Sequence, residues 1–321
     1  MMRKQLVLLP TLILALLVAT TPAWAQSMKE AVELYNQASK GLKQQPQKAI
    51  DQLQRCVTMA RGLKTAEAKE LEERAQKLLP KAYHNHAKLL YEKERYSEAI
   101  AQLNVGRART KDKKSIKTFD GIVLRIYFEW AKKLMKEKKY GEAHAKLDST
   151  LAVNPKYMPV YILKAKCYEE QNDEARMLAT LEQGIAKAKE FSSVSREQEM
   201  RTMYTNHLKK KAFAIEEQGK LDEAIALFGQ IIRMDERDAV AYLKLSEIHH
   251  KKKDYDQAIA NAEKALQYAQ PQDKTQIYYL QAQALQAKGD KPAACEAYRK
   301  AANGQFKEAA EYQLKELKCA K

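Results

Sequence analysis

The sequence predicts an all-α fold, a solenoid of antiparallel helix pairs. Three observations carry that expectation. A pair of small residues twelve positions apart recurs along the chain: Ala87 with Ala99, Ala131 with Ala143, Ala165 with Met177, Ala212 with Ala224, Ser246 with Ala258 and Ala282 with Ala294, only Met177 being large. Two helices joined by a turn pack closely only where neither carries a bulky side chain at the crossing. The step between second members is 34 residues from Ala143 to Met177 and from Ala224 to Ala258, and 36 from Ala258 to Ala294, which is the periodicity of a stacked array. Charged residues make up 31% of the chain and glycines number only 10, a composition suited to long solvated helices.

Taken from the N-terminus, residues 1–25 read as an export signal. Arg3 and Lys4 form its positive start, Leu6 to Ala19 its apolar run, and Ala23-Trp24-Ala25 a small-x-small cleavage site. The run is too short to span a bilayer, which takes roughly 20 apolar residues. No other segment is long and apolar enough, so the mature chain from Gln26 is expected to be exported without an integral membrane segment, to the periplasm or the envelope periphery. Ser27-Met28-Lys29-Glu30 reads as a capping box that starts the first helix. Residues 26–80 then form an atypical helix pair and extension. Pro46 stands near the start of its second helix, Ala49, Leu53 and Cys56 share a face, and Gln37 rather than a small residue lies twelve before Ala49.

The regular stack is expected over residues 81–302, as six helix pairs. Its two longer steps, 44 from Ala99 to Ala143 and 47 from Met177 to Ala224, mark inserts near 104–118 and 187–204. Both read as lengthened helices. The first insert is rich in Lys and Arg. The second breaks at Phe191-Ser192-Ser193-Val194 and restarts at a capping box over Ser195-Arg196-Glu197-Gln198. Residues 303–321 read as a C-terminal capping helix with an apolar stripe of Phe306, Ala309, Ala310, Leu314 and Leu317.

The chain resembles the tetratricopeptide repeat family. An aromatic slot holds Tyr83, Tyr127, Tyr161, Leu208, Tyr242 and Tyr278, and the small slot lies four residues later. The slot four after the second small residue holds Leu103, Leu147, Leu181, Phe228, Ala262 and Tyr298, and the closing proline is present as Pro155. The resemblance implies a right-handed superhelical solenoid that serves as a protein-binding scaffold. It also implies that the first helix of each pair lines a concave groove. Carried onto this chain, that groove holds Asn85, Lys88, Tyr91, Arg125, Phe128, Lys132, Ile162, Lys166, Lys209, Lys210, Phe213, Leu243, Lys244 and Tyr279. Such a row suits an extended or helical partner segment with acidic and apolar side chains. The carboxylate clamp of the chaperone-binding members is absent, its places being taken by His84 and Lys88, Glu129, and Pro159 and Leu163.

Lys and Arg number 57 against 41 Asp and Glu, a formal charge of +16, which favours acidic partners. Nucleic acid fits poorly with export and with the absence of any nucleic-acid module. An acidic envelope polymer or lipid, bound through the lysine-rich surface, is the alternative to a protein partner. Of the four cysteines, Cys295 and Cys319 fall on helices expected to be neighbours and could form a disulfide, whereas Cys56 and Cys167 read as small core residues. The six histidines form no metal-binding spacing, and no nucleophile–base pair or phosphate loop occurs. No enzyme activity, cofactor or metal is therefore expected.

Overall fold

A computed structural model describes residues 23–319. Among them the chain is helical throughout, with two short 3-10 turns and no strand. It divides into two compact units, Met1–Asn154 and Pro155–Lys321. The first contains α1 (Ala23–Gly41), α2 (Pro46–Leu63), α3 (Ala66–Glu92), α4 (Tyr96–Ala108), α5 (Lys113–Lys136) and α6 (Tyr140–Val153). The second contains α7 (Pro159–Glu170), α8 (Glu174–Glu190), α9 (Val194–Glu217), α10 (Leu221–Met234), α11 (Ala239–Lys251), α12 (Tyr255–Tyr268), α13 (Lys274–Lys288), α14 (Lys291–Ala301) and α15 (Lys307–Glu316). Within each unit helices pack in consecutive pairs, and first helices also touch one another, α1 with α3, α3 with α5 and α11 with α13.

The division between units falls inside residues 81–302, which the sequence reads as one stack. It coincides with the closing proline. Asn154 is extended (φ −144°, ψ 100°), as the ring of the following Pro155 requires.

The twelve-residue pairs sit at the helix crossings. All twelve residues are buried, Met177 included. Ser246 tolerates burial because its hydroxyl donates to the Ala258 carbonyl of the facing helix at 2.8 Å, so the polar group is satisfied. Seven residues beyond each second member the chain again carries a buried residue: Gly106, Thr150, Gly184, Ile231, Ala265 and Ala301. At Gly106 an added Cβ would stand 2.8 Å from the Cβ of Tyr83 and 2.9 Å from the ring of Phe119. Three helices, α3, α4 and α5, converge there.

One turn geometry joins the two helices of each of the six pairs. Glu94, Lys138, Asn172, Gly219, Lys253 and Gly289 all lie five residues before the second small residue, with φ between 58° and 93°. Each is flanked by the same two backbone bonds. At the first, Arg95 N–H donates to Leu90 at 2.9 Å and Glu94 N–H to Tyr91 at 2.9 Å; at the fifth, Asp254 N–H donates to His249 and Lys253 N–H to His250, both at 2.9 Å. This is the Schellman closure, in which a left-handed residue satisfies the last carbonyls of a helix. The twelve-residue spacing follows from it, because the turn fixes how far apart the two crossing residues stand in the chain.

Several expectations are corrected. Residues 1–22 of the expected export signal lie outside the described residues. The expected cleavage site Ala23-Trp24-Ala25 forms the first turn of α1, and Ser27 does not cap it: its hydroxyl donates one turn back to the Ala23 carbonyl at 3.0 Å. The helix-compatible residues before Ser27 extend the helix past the local signal. Ser195 likewise lies inside α9. Ser192 closes α8 in the left-handed conformation (φ 56°), and Ser193 takes the N-terminal position next to it. The extension after the first pair and the first helix of the repeat at Tyr83 form one rod, since α3 runs through Pro80. Its first half buries Leu71, Ala75 and Leu79, and its second half Tyr83, Ala87 and Leu90. The first pair does bring small residues together, with Ala38 buried eleven rather than twelve residues before Ala49, while Gln37 accepts from Gln52 at 2.7 Å. At the C-terminus Ala310, Leu314 and Leu317 pack beside Tyr278 and Tyr298, but Ala309 is exposed. Trp130 lies at the edge of the core, with Lys146 4.0 Å from its ring centroid.

Because an L-residue in the left-handed region costs about 1 kcal/mol relative to glycine, Lys253→Gly is expected to raise stability by about 0.5–1 kcal/mol. Gly219→Ala, at the equivalent turn, is expected to lower it by a similar amount. Urea unfolding followed by circular dichroism measures both; equal and opposite shifts are the expected result.

Candidate functional site

The candidate residues lie on the first helices of the pairs, and the two units treat them differently. In the first unit, α3 and α5 carry an open cationic face. Lys88 is 68% exposed and reaches Glu92 only at 3.7 Å. Arg125 is exposed, and Lys132 pairs with Glu129 one turn away at 2.9 Å. Exposed pairs of this kind are worth well under 1 kcal/mol, so these lysines remain available to a ligand. Between them lies His84. Burial first, then the charges of Arg125 and Lys88, hold its imidazole below the ordinary histidine value. Tyr91 borders the face, its ring centroid 5.6 Å from that of Tyr96, which in turn lies 5.5 Å from Trp130. Phe128 is partly buried. Asn85 serves the fold instead, its amide donating to the Leu42 carbonyl at 2.9 Å, beyond the end of α1.

In the second unit two of the candidate lysines, Lys209 and Lys244, are consumed by internal carboxylates. Lys209 of α9 lies 2.5 Å from Asp238, whose side chain is only 5% exposed and which also caps α11 by accepting from Ala241 N–H at 3.0 Å. Lys244 of α11 bonds Glu247 at 2.7 Å and approaches Glu216 of α9 at 3.7 Å. Lys251 meets Glu216 at 2.8 Å, and Gln276 of α13 donates to Glu247 at 3.5 Å. Burial pulls the Lys244 ammonium down, but its hydrogen bond to Glu247 and the charges of Glu247 and Glu216 outweigh that and hold it above the usual lysine range. Phe213 lies under Lys244, 5.7 Å from its ammonium, and against Phe228. Tyr279 packs between Tyr298 and Phe306 at 5.6 and 5.1 Å. Leu243 joins a small core cluster, and Ile162 is buried, so it cannot meet a partner directly. Lys166 and Lys210 are exposed.

On α3 and α5 the carboxylates near Lys88 and Lys132 lie one turn away on the same helix, whereas Lys209 and Lys244 reach carboxylates of another element. Three of the pairings were readable from helical spacing, Lys88 with Glu92, Glu129 with Lys132 and Lys244 with Glu247. The contacts of Lys209 with Asp238 and Lys244 with Glu216 join different helices, and only the stacking register reveals them.

Cys295 of α14 and Cys319, just beyond α15, face each other as a disulfide with Cα atoms 5.7 Å apart. Lys318 in the left-handed region turns the chain to bring Cys319 there (φ 49°). Cys56 and Cys167 are buried thiols, and burial pushes each up to about 11. His249 lies against Asp254 at 3.2 Å. Among the described residues no group of three His, Cys, Asp or Glu side chains could hold a metal ion, and no helix is long and apolar enough to cross a membrane.

Two stability predictions follow from this geometry. Lys209→Met strips a buried carboxylate of its partner and is expected to cost about 1–3 kcal/mol, whereas Lys166→Met is expected to stay within about 0.5 kcal/mol; denaturant titration separates them. Thiol titration of the unfolded, unreduced protein is expected to count only Cys56 and Cys167, with Cys295 and Cys319 appearing after reduction.

Residues 216–274 and 275–303 match two family models, each described as a tetratricopeptide repeat. No curated protein matches the sequence. Among solved structures the chain is similar to a tetratricopeptide repeat protein from Parabacteroides merdae, with 19% identity, 91% of this chain and 99% of that one covered and a TM-score of 0.30. It is similar to the P58(IPK) TPR domain at 14% identity, 90% and 98% coverage and a TM-score of 0.32. A third likeness is to PilW, a type IV pilus biogenesis factor, at 19% identity, 56% and 76% coverage and a TM-score of 0.26. At such scores these structures do not bear on function. Residues 216–303 therefore carry tetratricopeptide repeats, and the other helix pairs from α3 onward share their turn and crossing.

Proposed function

We propose that the chain is a non-catalytic scaffold, exported to the periplasm, that holds a partner protein against the first helices of its repeats during assembly of an envelope or secretion complex. Tetratricopeptide repeats as a class serve protein–protein interaction, and the finer reading rests on one observation. On α3 and α5 the cations Lys88 and Arg125 are exposed beside the partly buried His84, whose imidazole is held below its ordinary value by burial first and then by these two charges. Exposed cations gathered on one solvent-facing surface mark a place where an acidic segment gains the most. The α9–α11–α13 face offers less, because Lys209 and Lys244 already hold carboxylates.

The sign of the pH dependence is fixed by the same residue. A bound carboxylate would favour protonated His84, so binding is expected to tighten as pH falls toward the folded value of His84, which lies below the ordinary 6.5. By linkage, the ligand would raise that value. Partners trapped by crosslinking in the exporting cell and identified by mass spectrometry supply the ligand. Against it, a variant carrying Lys88→Glu, Arg125→Glu and Lys132→Glu is expected to keep its helicity and lose binding at least about tenfold. The His84 ring resonance in the parent chain is expected to titrate at higher pH with the ligand present. Undiminished capture by the triple variant, with His84 unmoved, would sink the reading.

A further inference from the structure

The first insert carries a second cationic surface, unlike the repeat faces. Between Asn104 and Thr118 the chain presents Arg107, Arg109, Lys111, Lys113, Lys114 and Lys117, all exposed, against the single carboxylate Asp112. Arg107 is engaged with Asp120 at 2.7 Å. The other five form no ion pair among the described residues. Asp112 is itself committed, accepting from the Ser115 amide at 2.8 Å and hydroxyl at 2.7 Å at the start of α5. That helix has no acidic residue in its first turn, so its N-terminal dipole adds to the positive field. Beside the α4–α5 connection lies a depression of about 480 Å³, with Glu73, Lys77 and Pro80 of α3 on one wall and Arg109, Lys111 and the capping Asp112 on the other, three cations against two carboxylates. Lys81, one turn beyond Lys77, is also exposed.

We propose that this corner of the first unit is a docking site for a flexible polyanionic chain, one that carries a charge on every repeating unit. Five uncompensated cations within nine residues are costly to hold together unless a counter-charge arrives from outside. Their arrangement selects among anions. Lys77 of α3 with Arg109 and Lys111 of the connection line a concavity, and Lys113, Lys114 and Lys117 follow along the exposed start of α5, a course that a flexible chain can follow and a flat bilayer cannot. An interfacial membrane site would also need apolar side chains to insert, and the only large apolar residue exposed here is Val105, at 40%. A folded acidic protein would need aromatic or aliphatic anchors, which carry most protein–protein affinity, and Val105 is the one such side chain exposed at this corner.

The test uses the full chain and long-chain inorganic polyphosphate as probe. Affinity is measured for the parent, for a variant with Arg109, Lys111, Lys113, Lys114 and Lys117 each replaced by Gln, and for a control that removes the same number of charges elsewhere, with Lys220, Lys264, Lys291, Lys307 and Lys315, all exposed, each replaced by Gln. The corner variant is expected to bind about tenfold or more weakly and the control within about twofold, with parent binding falling steeply as salt rises. Equal losses in both variants would mean diffuse attraction by net charge, and the site would be rejected. It would also be rejected if the parent ignores polyphosphate, or if it binds phosphatidylglycerol vesicles in preference to polyphosphate. Should the corner variant fail to fold, lysine acetylation of the parent decides: polyphosphate must shield Lys111, Lys113, Lys114 and Lys117 while leaving Lys166 reactive, and uniform shielding overturns the proposal.

Discussion

Two α-helices approach each other only as closely as the bulkiest side chain at their crossing allows, and every other feature of this protein depends on that limit being kept. Ala87 against Ala99 and its counterparts are small and fully buried. They bring backbones near enough for Ser246 to bond the facing carbonyl of Ala258, and for the larger residues on either side, such as Leu103, Leu147, Leu181 and Phe228, to fill the flanking volume. The constraint extends to the third helix at Gly106, where even a methyl group would collide with Tyr83 and Phe119. Met177 is tolerated at one crossing because an unbranched side chain can turn away from its axis.

The parts of the fold that were legible in the sequence are those this constraint writes directly. Small residues at a fixed spacing, the apolar slots around them and the 34-residue step are one-dimensional traces of a repeated packing solution. Illegible parts were decided by neighbours distant in sequence or by competition between local signals. The capping boxes at Ser27 and Ser195 are sound local patterns, yet helices began earlier, at Ala23 and Val194, because preceding residues could also be helical. Ile162 sits at a position that lines a groove in the family, but here it is buried. Asn85 reads as a groove amide until the Leu42 carbonyl is seen beside it. The division at Asn154 left only a proline in the sequence, and prolines elsewhere mark no division.

Lysine has three fates in this chain, and the net charge of +16 conceals them. On α9 and α11 it is a structural cation, closing a network with Asp238, Glu216 and Glu247. On α3 and α5 it is exposed with weak partners in reach, beside a histidine that senses it. In the α4–α5 connection it is exposed with none. Substitution of lysine therefore has no uniform meaning here. The same change of residue would loosen the fold at Lys209 and remove only a solvent-facing charge at Lys88.

The unbroken course of α3 through Pro80 has a consequence for how the first unit comes apart. In an array of repeats each pair ordinarily frays as its own block, held only by the interface with the next. Here one rod of 27 residues serves two blocks, its front half lying on α2 and its rear half on α4. Loss of α1 and α2 would strip one half of that rod of its cover while the other stayed anchored, so the terminal pair is coupled to the interior through a shared backbone as well as through side chains. Amides of α1, α2 and the first turns of α3 should then exchange with solvent as a single cooperative group, and the open end of the unit behaves less like a loose edge than its position in the chain suggests.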